Sequence, residues 1–126
     1  MKEGSANPKV LNKGAHRFTR IEILDERGLG GAYHEYAIRD VEGDKPAHTI
    51  VKFQKGPVAE AGRNGIFMED LLQICVHRLE CFQAEAAPFA CRENALALTK
   101  IQEALHWLDH RTRDRQERGV EGRNQK

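Results

Sequence analysis

The chain has 126 residues, with 20 Lys or Arg against 19 Asp or Glu and a net charge of +1. That length gives room for one domain with a modest core, or two small lobes sharing one. Near-neutrality excludes a global field that would draw the chain to bulk nucleic acid or to an anionic membrane.

Taken in order, residues 1–16 carry Gly, Ser, Asn and Pro and read as a flexible tail with no apolar targeting core. Arg17 to Leu24 then alternates as a half-buried strand does, with Phe18, Ile21 and Ile23 apolar. The glycine-rich RGLGG that follows lacks the G-K-[ST] ending of a phosphate loop and the helix that should come after it, so a hairpin turn is expected. Ala32 to Arg39 gives a second strand, Gly43 to Ala47 a turn, and His48 to Gln54 a third strand. Three strands joined by short links predict an antiparallel meander within residues 17–65, closed by a loop from Lys55 to Gly65 that is rich in Gly and Pro.

Periodicity then changes. Met68, Leu72, Cys75, Leu79 and Phe82 recur at spacings of three and four, which marks an amphipathic helix. Gln83 to Pro88 is long enough only to reverse the chain, and Pro88 is placed to open a second helix at its first turn. The second helix, Asn94 to Arg118, is longer by several turns. Residues 66–126 therefore read as an antiparallel helical hairpin with a C-terminal tail, and the fold class is α+β. No run approaches a membrane span, so the expectation is a soluble, cytoplasmic protein without a membrane partner.

On the second helix Ala97, Ile101, Ala104 and Leu108 form an apolar stripe, widened by Leu98, Leu105 and Trp107. One turn on, Arg111, Arg115 and Arg118 take it over. Arg113 has Asp109 and Glu117 four residues away on either side, each pair contributing about 0.2–0.5 kcal/mol. Arg115 has no carboxylate at its helix-neighbour positions, and Arg111 has only Asp114. Two or three unneutralised guanidiniums are thus expected to point one way. Such groups match phosphate oxygens bidentately, which suggests an anion pocket with an apolar wall. The alternative is a solvated helix end with ordinary surface arginines. Basic character is local: His110 to Lys126 holds six Lys or Arg against three acids.

Cys75, Cys81 and Cys91 fit neither a CxxC pair nor a zinc ribbon and are expected as buried, reduced thiols. His106 and His110 stand four apart, as metal-binding histidines can, but no third ligand has suitable spacing, so no metal and no cofactor are expected.

The runs FQKGPVAEAGRNG (Phe53 to Gly65), RLECFQ, FACRENALALTKIQEAL and LDHRTRDRQERGVEG together resemble phage Thoeris anti-defence proteins of the cyclic-nucleotide sponge type. The most specific parts are CRENALALTK and RTxxRxxRGVEG. Anti-CBASS sponges share a similar helical hairpin. The resemblance implies a protein that sequesters a host immune messenger, glycocyclic ADP-ribose made by a TIR-domain enzyme, without degrading it, in the cytoplasm of the infected host. It also implies homo-oligomers, dimers or hexamers, and in some members a separate site for cyclic dinucleotides or trinucleotides. Through the matching motifs the ligand-contacting positions fall on Phe82, Asn94, Arg111 and Arg115, with Arg118 and Val120 beside them and Phe89 a rival for the aromatic role.

Asn94 and Arg111 are seventeen positions apart, about 25 Å on one helix. No single small nucleotide touches both, so a shared pocket needs two chains with their long helices antiparallel, and a two-fold dimer would carry two composite sites. Arg111 and Arg115 would clamp the diphosphate, Phe82 would stack on adenine, and Asn94 would read a base edge or ribose hydroxyl. By itself Phe82 is equally a core residue and Asn94 a helix-start hydrogen bonder. A phosphodiesterase acting on the same nucleotide needs a base, and arginine is too basic to accept a proton, which leaves only His106 and His110. No catalytic residue is therefore assigned. A nucleic-acid adaptor using the basic tail would show steeply salt-sensitive binding.

Overall fold

The computed structural model describes residues 9–11, 18–85 and 87–118. Most of the expected tail and Val120 lie outside the described residues. The chain divides into two compact units, Met1–Ile66 and Phe67–Lys126.

The first unit is a four-stranded antiparallel sheet in the order β1 (Lys9–Val10), β2 (Thr19–Ile23), β3 (Glu35–Asp40) and β4 (Thr49–Lys52). Three strands were expected. The additional one, β1, falls within the stretch read as a tail, where Lys9 pairs with Ile23 and Val10 with Glu22. A two-residue edge strand carries too little alternation to be seen in sequence.

Register sets the two faces of the sheet. Ile21 lies opposite Ile38, Ile23 opposite Tyr36, and Tyr36 opposite Val51, and Phe53 meets Tyr36 edge-on at 5.9 Å. On the other face Glu22 pairs with the fully buried Ala37, and Arg20 lies directly opposite Arg39. Like charges so placed repel, and Glu22 resolves the conflict by accepting from both. Arg20 Nε donates to Oε2 at 2.7 Å and Arg39 Nε to Oε1 at 2.8 Å.

The RGLGG segment lies in the link that joins the antiparallel strands β2 and β3, a hairpin connection as expected, and makes a 3-10-type turn at Leu29–Gly31. Gly30 (φ 72°) and Gly31 (φ 77°) supply left-handed backbone there. The connection is closed by Asp25, whose carboxylate accepts from the backbone N–H of His34 at 3.0 Å and of Glu35 at 3.2 Å.

The loop after β4 is more structured than expected. It contains the one-turn helix α1 (Val58–Ala61) and is knitted shut by two amides. Asn64 Oδ1 accepts from Lys55 N and its Nδ2 donates to Lys55 O, while Gln54 Nε2 donates to Gly62 O and Gln54 Oε1 accepts from Asn64 N.

The second unit is the antiparallel hairpin of α2 (Met68–Gln83) and α3 (Arg92–Glu117). α2 opens with Asp70 accepting from Phe67 N at 2.9 Å, and Glu69 and Asp70 complement its N-terminal dipole. α3 begins at Arg92, not at Pro88, which lies in the preceding turn. Cys91 is extended (φ −158°) and its Sγ accepts from Asn94 N at 3.4 Å, so a side-chain cap outcompetes the proline as the start signal.

The inward face of α3 carries Leu98, Ile101, Leu105 and Leu108, all half-buried, against Leu72, Leu79 and the buried Val76 of α2. Ala97, Ala104 and Trp107 are exposed, so the true seam is rotated about 50° around the axis from the expected one. Leucines offer more area to bury than alanines and set the rotation. Cys75, Cys81 and Cys91 are free thiols as expected, but all three are exposed because they lie off this seam.

Candidate functional site

At the turn of the hairpin the last residues of α2 meet the first of α3. Phe82 and Phe89 are edge to face, with centroids 6.1 Å apart and planes at 85°. Asn94, on the first turn of α3, donates from Nδ2 to Phe89 O at 3.2 Å, and Gln83 Oε1 accepts from Cys91 N at 2.9 Å. Three sequence-predicted positions, Phe82, Phe89 and Asn94, are thereby brought together. Sequence reading missed two others. Gln83 ties the helices across the turn, and Arg78 places its guanidinium 5.0 Å from the Phe82 centroid. The four-residue spacing of Arg78 and Phe82 was the available signal.

The arginines occupy the opposite end of α3, a continuous helix of 26 residues, about 39 Å long. One hairpin therefore does not bring Arg111 or Arg115 to its own turn. The expected row is partly neutralised. Arg118 Nε lies 3.1 Å from Asp114 Oδ2, so Asp114 serves Arg118 and not Arg111. Asp114 stands four residues before Arg118, so Arg118, contrary to the expected row, is not an unneutralised cation. Arg113 pairs with Asp109 at 2.9 Å, as its spacing predicts. Arg111 is exposed and makes no ion pair among the described residues, while Arg115 is half-buried.

Trp107 contacts the rings of both His106 and His110 at centroid distances of 5.7 Å. Among the described residues no group of three His, Cys, Asp or Glu side chains is arranged to hold a metal ion, and no helix is long and apolar enough to cross a membrane.

In the first unit a cavity of about 280 Å³ is lined by Asp25, Glu26, Gly28, His34 and Lys55, none of them a predicted ligand residue. Lys55 Nζ donates to Glu35 Oε2 at 2.8 Å, which holds the ammonium above its ordinary pKa. Burial pushes the Glu22 carboxyl up, but the two guanidinium hydrogen bonds together outweigh it and leave it below its usual range. Hydrogen bonding from His48 lowers Asp40 likewise.

Residues 45–113 match the family model described as Acb2/Tad1, hairpin domain. The chain belongs to this family. The match takes in β4, α1, α2 and α3 as far as Arg113, so Phe82, Phe89, Asn94 and Arg111 fall within the Acb2/Tad1 hairpin domain and Arg115 and Arg118 just beyond it. "Thoeris anti-defense 1" of Bacillus phage SBSphiJ7 is 46% identical to the chain over 99 residues, which cover 79% of this chain and 66% of that protein. The alignment thus spans just under two thirds of that relative.

Proposed function

We propose that this Acb2/Tad1 hairpin protein is a phage anti-defence sponge that binds glycocyclic ADP-ribose and holds it without cleavage. The observation that carries the reading is the family match over residues 45–113, which includes both the aromatic turn and Arg111, joined to the 46% identity with a Thoeris anti-defence protein. The ligand is an adenine nucleotide with a diphosphate. It asks for a flat ring, an amide and paired guanidiniums, which Phe82, Asn94, Arg111 and Arg115 supply.

The separation of turn and arginines along α3 supports a composite pocket between two chains in antiparallel array, the turn of one facing the arginine end of the other. Such a site would not register as a cavity in a single chain. Charge-assisted hydrogen bonds contribute about 1.5–3 kcal/mol each and ring stacking about 1–3 kcal/mol. Four contacts of this kind reach the nanomolar range, about −12 kcal/mol, only if the pocket is preformed. The hydrogen bonds of Gln83, Cys91 and Asn94 supply that rigidity at the turn.

Incubation with glycocyclic ADP-ribose, followed by heat release and chromatography, tests the reading. A sponge returns the messenger intact, whereas an enzyme returns product. Calorimetric titration with cyclic di- and trinucleotides examines a second ligand class, and hexamers as trimers of dimers would appear in the solution mass.

A further inference from the structure

Arg78 is not among the proposed ligand contacts, yet its guanidinium lies over the Phe82 ring, 5.0 Å from the centroid. The two residues are one turn apart on α2, so the helix backbone itself holds them in register. Phe89 approaches the same ring at 85°, and Asn94 fixes the Phe89 carbonyl. With one face of Phe82 covered by Arg78, an incoming base has only the opposite face on which to stack. The cation draws ring electron density toward itself, which suits that opposite face to an electron-rich purine.

We propose that Arg78 is a positioning residue of the ligand site, clamping Phe82 in one orientation so that the ring presents a single face to a purine base. This rests on the ligand reading above. The test is calorimetric titration of the full chain with glycocyclic ADP-ribose, comparing Arg78→Ala in the native background and in a Phe82→Leu background. Arg78→Ala should weaken binding about three- to tenfold in the native chain. It should add almost nothing once Phe82 is Leu, because a residue acting through the ring has nothing left to act on.

Circular dichroism accompanies each variant. If Arg78→Ala loses helicity, Arg78→Met, which keeps an aliphatic stem, answers in its place. Equal losses in both backgrounds overturn the inference, as does native affinity in Arg78→Ala while Phe82→Leu is impaired, and in either case the ligand reading stands. Absence of binding by the native chain overturns the ligand reading and this inference with it.

Discussion

Glu22 is 4% exposed and sits between two guanidiniums that the strand register would otherwise leave in conflict. Glu22→Gln keeps the shape and removes the charge, so it should cost about 1.5–3 kcal/mol at pH 7 by urea unfolding. The folded carboxyl lies below its ordinary pKa. Its contribution is therefore fully present above about pH 4.3 and disappears as pH falls through the folded value. The difference between native and variant should shrink toward pH 3, and a difference independent of pH would sink this account. At the other end of the chain, replacing Arg111 and Arg115 together by Ala removes two charged contacts, about 3 kcal/mol or more, and should weaken glycocyclic ADP-ribose binding over about 100-fold. Tight binding by the double variant would refute the assignment of the clamp.

The links between elements are held by specific close contacts. A Cβ added at Gly65 would stand 2.5 Å from Phe53 C and 2.6 Å from Lys52 O, both backbone atoms that cannot swing aside. Gly65→Ala should therefore destabilise the protein by about 1–3 kcal/mol, and an unchanged denaturation midpoint would show that the loop relaxes freely. Cys91 caps α3 with a sulfur at 3.4 Å, a weak acceptor in a position that favours an oxygen. Cys91→Ser should raise stability by about 0.5–1 kcal/mol, and a lowered melting temperature would count against the cap. The long helices were legible because their apolar residues repeat over many turns. β1 was not, because two residues have no period. The start of α3 was misplaced because Pro88 is a stronger local signal than a capping thiol, and α1 was missed because a single turn buries nothing.

Among the described residues of the two-helix hairpin Val76 is the one buried hydrophobic side chain, so this unit has little core of its own. Ile74, Phe89 and Trp107 are 64%, 68% and 66% exposed on the same unit, apolar area that the proposed antiparallel pairing of two chains could cover in part. Trp107→Glu should shift the sedimentation coefficient toward that of a single chain and weaken ligand binding in parallel. A stable dimer in that variant would place the contact elsewhere.

The amino-acid order alone determined the α+β class, the existence of a hairpin, its longer second helix and the clustering of arginines at one end. Each of these follows from periodicity and spacing along a single chain. Folding decided which residues share a neighbourhood. Arg78, Phe82, Phe89 and Asn94 converge because a turn brings two helix ends together, and Asp114, which the spacing offers to both Arg111 and Arg118, pairs with Arg118. Leucines rather than alanines set the inward face of α3, since the seam goes to the side chains with more area to remove from water. Such outcomes depend on competition between partners in three dimensions, and the order of residues fixes the competitors without ranking them.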